Sequence, residues 1–156
     1  MSNHLRNQAE TLAIMVEHGL ATVADAVAWA DAMIADEEHP HWSLCEVASM
    51  VGGLEPDVAH ALREIPGAVD SARVQQGLLR NLAQSLASDR SRAESIAWTI
   101  YQLAIDGLLD GEIGEVALWA SDGLELAWEG IIATPRDQIV DRMLAALQEA
   151  SSASQT

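Results

Sequence analysis

Apolar residues recur along this chain at the three- and four-residue spacing of amphipathic helices. In the first such segment, over residues 4–18, Leu5, Ala9 and Val16 share one helical face, and a glycine follows as the stop. No stretch shows the sustained apolar–polar alternation of a half-buried strand. The pattern therefore predicts an all-α bundle of about eight helices.

Helix-starting and helix-ending residues divide the remaining chain. Pairs typical of capping boxes precede three of the predicted helices, namely Thr22 with Asp25, Ser43 with Glu46, and Ser91 with Glu94. The predicted helices cover about residues 4–18, 23–36, 43–52, 57–65, 68–87, 91–107, 112–129 and 134–150. The polar residues 151–156 are predicted to be a disordered tail.

A helix stop followed by a tryptophan-bearing helix occurs twice. Gly19-Leu20 leads to Trp29, and Gly107-Leu108 leads to Trp119. Matched apolar and acidic positions flank both copies, so we interpret residues 4–51 and 91–150 as a pseudo-twofold internal repeat. Residues 56–88 form the helical segment between the copies, and no linker divides the chain, so residues 1–156 are predicted to be one domain.

The two tryptophan-bearing helices differ in their patterns. The helix at 23–36 is apolar nearly all round, which predicts a buried helix. The helix at 112–129 is predicted to place Val116, Trp119 and Ala120 in the core, opposite a stripe of carboxylates. We also expect the tryptophans on helices to be core residues, because tryptophans at helical spacing usually are.

The net charge of the chain restricts its possible functions more than its length does. The formal net charge is −16, and every basic side chain is an arginine. Such an acidic chain would be repelled by nucleic acid and by anionic membranes. The single cysteine, Cys45, excludes an internal disulfide, and no apolar run reaches the ~18 residues that span a bilayer. We therefore expect a cytoplasmic protein with no cofactor.

The acidic residues concentrate in the two copies of the repeat. We predict a non-enzymatic binding protein that recognises a basic protein. An inhibitor or an immunity-type protein would be one form of such a function. A surface that only keeps the chain in solution explains the same layout, and a homo-oligomeric structural protein is a further alternative. The predicted partner-binding residues are Asp25, Asp31, Asp36, Glu115, Asp122, Glu125 and Glu129.

A histidine-rich loop suggests an alternative function of a different class, namely metal binding. Glu38, His39 and His41, with His60 further on, could hold a divalent transition metal, which would make the protein a metal-binding protein or a metal-dependent enzyme. Pro40 weakens this pattern, because it breaks the helix that a Glu-x-x-His pair needs. No catalytic residue is identifiable from any local signature.

A second metal pattern lies further along the chain. Glu112 with Glu115 and Asp122 with Glu125 resemble the carboxylate pairs with which all-helical nucleotide pyrophosphohydrolases hold magnesium. Here both pairs share one helix, and the chain has no lysine to meet phosphates. The resemblance therefore does not lead us to expect that activity.

Overall fold

The computed structural model describes residues 3–153, and this part of the chain is all-helical, as predicted. No helix within it is both long enough and apolar enough to cross a membrane. The helices are α1 (Asn3–Glu17), α2 (Val23–Asp36), α3 (Trp42–Ala48), α4 (Glu55–Arg63), α5 (Ser71–Ser88), α6 (Ala93–Ile105), α7 (Gly111–Trp128) and α8 (Arg136–Ala153), with one 3-10 turn at Arg90–Arg92.

The described residues group into two compact units, one up to Val74 and one from Gln75. In the first unit α1 packs on α4, while α3 packs on both α2 and α4. Helix α1 contributes fully buried Ala9 and Val16 to the core of this unit, and α3 contributes Leu44. The prediction of one domain over residues 1–156 stays a prediction.

An ionic network ties α1 to α4 within the first unit. The Glu10 carboxylate accepts hydrogen bonds from the guanidinium groups of Arg6 (2.8 Å) and Arg63 (3.1 Å). Arg63 also pairs with Glu17. Burial alone would raise the pKa of Glu10, but the hydrogen bonds and charges of the two arginines outweigh it and hold that pKa below its usual value. The network therefore stabilises the folded unit when Glu10 is ionised.

In the second unit α7 packs on α6 and on α8. The contact with α6 depends on a glycine, because a Cβ added at Gly114 would lie 2.6 Å from the Ala104 Cβ. Ala117 and Ala120 continue this buried face of α7. Small residues thus allow the backbones of α6 and α7 to approach closely.

The predicted internal repeat is not confirmed. Gly19 and Gly107 both have a left-handed φ, near 70°, and the following leucine N–H reaches the carbonyl five residues back in each case. Gly130, which is not one of the two matched Gly-Leu stops, ends α7 in the same way, with the Ile131 N–H bonded to the Leu126 carbonyl at 2.9 Å. The shared feature is therefore a Schellman helix stop, which is a common motif.

Of the three predicted capping boxes, one is present. The Thr22 hydroxyl accepts the Asp25 N–H at 3.1 Å, and the Asp25 carboxylate accepts the Thr22 N–H at 2.8 Å. The box predicted at Ser43 is wrong, because that serine is fully buried and α3 begins one residue earlier. The box predicted at Ser91 is also wrong. Asp89 accepts the Ser91 N–H and caps a 3-10 turn, and α6 begins only after that turn.

The expected burial of the tryptophans is wrong for most of them. Of the four tryptophans predicted on helices, Trp98, Trp119 and Trp128 are 57%, 40% and 90% exposed, and Trp29 is half-buried. The expected burial of α2 is wrong as well, since only Ala26, Val27 and Ala30 of that helix are buried. Its outward residues are mostly alanines, whose small apolar area costs little to expose.

The prediction of a disordered tail is wrong for residues 151–153. Helix α8 continues to Ala153, because the hydroxyls of Ser151 and Ser152 both donate to the Gln148 carbonyl, at 2.9 Å, and extend the last turn. Residues 154–156 of that prediction lie outside the described residues.

Candidate functional site

The outward face of α7 carries the four glutamates and aspartates that the sequence singles out on this helix. Glu115, Asp122, Glu125 and Glu129 are all exposed. Ala117, Ala120 and Leu124 are buried on the opposite face. Asp122, Glu125 and Glu129 are successive neighbours on the helix, and Glu115 lies two turns earlier on the same side, so the four carboxylates form an acidic stripe along α7.

Trp119 belongs to this acidic stripe and not to the core as predicted. It lies one helical turn from both Glu115 and Asp122, and it is 40% exposed beside Leu118, which is 43% exposed. The physical reason is its position, because Trp119 lies five residues and so about 140° around the helix from Gly114, which is on the face that packs on α6. The stripe therefore combines carboxylates with apolar side chains.

One basic side chain already rests on this surface. The guanidinium carbon of Arg142, on α8, lies 4.3 Å from the centre of the Trp119 ring. This distance is within the ~6 Å range of cation–π attraction. The acidic stripe of α7 therefore holds a guanidinium group of its own chain on an aromatic ring.

The acidic edge of α2 is also exposed, but its three carboxylates are not equivalent. Asp25 is committed to the capping box with Thr22. Asp31 and Asp36 are exposed, and no arginine pairs with either among residues 3–153. Only these last two remain available to an external cation on this edge.

The arginines of the described chain neutralise other acidic residues. Arg63 pairs with Glu10 and Glu17, and Arg90 pairs with Asp141 at 2.7 Å. Arg136 donates two hydrogen bonds, of 3.0 and 3.1 Å, to the Glu94 carboxylate. These hydrogen bonds lower the pKa of Glu94 below its usual value. None of these partners belongs to the α7 stripe, so these arginines do not neutralise its carboxylates.

The alternative metal site is not assembled. The described residues contain no group of three or more histidine, cysteine, aspartate or glutamate side chains positioned for one ion. His41 instead caps α3, where its Nδ1 accepts the Ser43 N–H at 3.2 Å. His60 lies 3.7 Å from the Glu64 carboxylate, while Glu38 and His39 are exposed in the loop before α3.

A groove between α3 and α4 is the feature that sequence analysis missed. It has a volume of about 460 Å³. Its lining residues are Trp42, Glu46, Met50, Asp57, His60, Ala61 and Glu64. Sequence alone gives the acidic and aromatic character of these residues, but only the packing of α3 on α4 brings them together. Cys45, also on α3, is exposed.

Comparison with known protein families, curated proteins and solved structures finds no match to this chain.

Proposed function

We propose that this protein is a non-enzymatic acidic binding protein that holds a basic protein partner on the outward face of α7. The observation that carries the proposal is the acidic stripe of α7. Its carboxylates, Glu115, Asp122, Glu125 and Glu129, are exposed, and none of them forms an ion pair with an arginine among residues 3–153. A surface of one sign attracts an oppositely charged partner over a distance and raises the association rate.

The neighbouring apolar side chains distinguish this stripe from a merely solubilising surface. Leu118 and Trp119 lie among the carboxylates and are partly exposed. Charged residues give orientation and speed to an association, whereas buried aromatic and aliphatic residues supply most of its affinity. The α7 face offers both kinds of contact. The acidic edge of α2, with Asp31 and Asp36, contributes to the long-range attraction.

The test compares two variants with the same net charge. The first replaces all four stripe carboxylates by neutral amides, as Glu115→Gln, Asp122→Asn, Glu125→Gln and Glu129→Gln. The second neutralises four other exposed or half-exposed carboxylates, as Glu37→Gln, Glu38→Gln, Glu55→Gln and Glu149→Gln. Both variants and the wild type are immobilised, exposed to lysate of the source organism at low salt, and eluted with a salt gradient.

We expect one dominant basic protein on the wild type and on the second variant, released at moderate salt because ions screen the attraction. The purified partner should bind the stripe variant about tenfold or more weakly in a titration. Equal losses in the two variants would show that only total charge matters, and the proposal would then be wrong. Undiminished binding to the stripe variant would contradict it as well.

A further inference from the structure

The groove between α3 and α4 carries a more specific inference. We propose that it binds an arginine side chain of the basic partner, with the guanidinium stacked on Trp42. The inference rests on the proposed function for the identity of that partner, but it concerns a different surface from the α7 stripe.

The indole ring of Trp42 is exposed beside the groove. Trp42 is the first residue of α3 and is 61% exposed. Burying the large apolar surface of a tryptophan would be favourable, so such exposure is costly. Its one ring neighbour among the described residues is His41, whose centroid is 5.5 Å away at an interplanar angle of 38°. Most of the indole surface is therefore available to a ligand.

The lining of the groove is acidic. Glu46, Asp57 and Glu64 contribute carboxylates, and no arginine of the described residues lines the groove. The one basic side chain in the lining is His60, which is close to Glu64. A cation that enters the groove therefore meets a negative potential and gains hydrogen-bond acceptors.

The shape and composition of the groove select arginine over lysine. A guanidinium is planar, stacks on aromatic faces and donates several hydrogen bonds to carboxylates, whereas an ammonium is a compact and strongly hydrated charge. Met50 provides apolar surface for the aliphatic part of the side chain. The volume of about 460 Å³ also lies in the ~300–1,000 Å³ range typical of ligand pockets.

The second unit supplies an internal precedent for this geometry. There Arg142 lies over Trp119, one helical turn from the carboxylates of the α7 stripe. The same combination of an indole ring and nearby carboxylates occurs around Trp42, but no arginine of residues 3–153 lies over that ring. The groove thus has the surroundings of an occupied guanidinium site without a guanidinium from its own chain.

The test uses an oligo-arginine peptide and an oligo-lysine peptide of equal length as probes, with binding measured by calorimetry at low salt. We expect the wild type to prefer the arginine peptide. Trp42→Ala should reduce that preference about threefold to tenfold, which is equivalent to ~0.6–1.4 kcal/mol, because the cation–π attraction to the ring is lost. Trp42→Phe should keep part of the preference, since phenylalanine also offers an aromatic face.

Trp98→Ala is the matched control, because it removes another exposed tryptophan, 57% exposed, from a helix in the other unit. It should leave the preference unchanged. Equal effects of Trp42→Ala and Trp98→Ala, or no arginine preference in the wild type, would overturn the inference. Thermal unfolding followed by circular dichroism should show both alanine variants folded, as expected for side chains mainly in solvent.

The same probes separate this inference from the proposed function. Neutralising the α7 stripe should weaken both peptides alike and leave the arginine preference intact. If the partner binds the stripe variant undiminished while the arginine preference depends on Trp42, the proposed function is wrong and the arginine site is retained. If the partner requires the stripe while the arginine preference does not change in Trp42→Ala, the arginine site is wrong and the proposed function is retained.

Discussion

The guanidinium of Arg142 covers the ring of Trp119, with 4.3 Å between the guanidinium carbon and the ring centre. Helix α8 thus places a positive charge on the one aromatic ring within the acidic stripe of α7. Any cationic partner that approaches Trp119 must compete with this arginine. Arg142 therefore stabilises the fold and at the same time weakens the attraction that the stripe exerts.

The first prediction separates these two effects of Arg142. Arg142→Ala should lower the free energy of unfolding by about 0.5–1 kcal/mol, because the exposed cation–π contact is lost. It should also strengthen binding of the oligo-arginine peptide, since Trp119 is uncovered and the stripe gains net negative charge. Urea unfolding and calorimetric titration measure the two quantities. Arg80→Ala removes an exposed arginine elsewhere. If Arg80→Ala strengthens peptide binding as much as Arg142→Ala does, the covering of Trp119 by Arg142 has no effect on binding.

The second prediction concerns the contact between α6 and α7. Gly114→Ala should destabilise the protein by about 1–3 kcal/mol, because the new Cβ would lie 2.6 Å from the Ala104 Cβ and the helices would have to move apart. Gly111→Ala, at the start of the same helix, has no atom within 4 Å of the added Cβ and should be neutral or slightly stabilising. Denaturant midpoints of the two variants give the comparison. A neutral Gly114→Ala would mean that the helices are not so closely packed.

The third prediction follows from the ionic network of Glu10. Its side chain is only 16% exposed, and its pKa is lower in the folded state than in the unfolded chain. The folded state therefore gains stability from this group above its unfolded pKa, near 4.5, and loses it as the pH falls through the lower folded pKa. Glu10→Gln should cost about 2 kcal/mol at neutral pH, because buried Arg6 keeps no charged partner there.

The measurement is urea unfolding of the wild type and Glu10→Gln at a series of pH values. The difference between them should be constant at neutral pH and should shrink below about pH 4, where Glu10 becomes protonated in both states. Glu38→Gln, in the exposed loop before α3, should show no comparable loss at any pH. A constant difference down to strongly acidic pH would contradict the assigned role of Glu10.

The fourth prediction uses the exposed tryptophans as reporters of the surface potential. Caesium ions should quench their fluorescence more effectively than iodide, by about twofold or more at low salt after normalisation to free tryptophan amide, because the net charge of −16 attracts the cation and repels the anion. The difference should vanish at high ionic strength. Trp128→Ala should remove a large share of the quenching, since this residue is 90% exposed. Equal normalised quenching at low salt would indicate that the charge lies away from the rings.

The sequence predicts the helices of this fold well, because their ends depend on local chemistry. The stop at Gly19 and the capping box at Thr22 each involve residues within one or two turns, and both occur as predicted. The box at Ser91 fails for an equally local reason, since the nearby carboxylate of Asp89 competes for the same backbone N–H groups. Local patterns therefore decide most boundaries, and competing caps explain the exceptions.

The face that each helix buries is harder to predict, because it depends on the neighbouring helix. Hydrophobicity favours Trp119 for the core, yet α6 packs on the face of α7 that contains Gly114, about 140° around the helix from Trp119. For α2, alanine-rich composition predicts burial, but alanine is equally tolerated on the surface. The α3–α4 groove is not predictable from sequence for a similar reason. Trp42 and Glu64 come together only through the packing of two separate helices.

The Schellman stops at Gly19, Gly107 and Gly130 have a consequence for how this chain can diverge over evolutionary time. An L-residue with a Cβ is strained at a φ near 70°, so these positions should accept little except glycine or asparagine. No atom lies within 4 Å of an added Cβ at any of the three, so backbone conformation alone imposes this limit. In descendants of a common ancestor, these glycines would therefore serve as landmarks for alignment, while the surface around them varies freely.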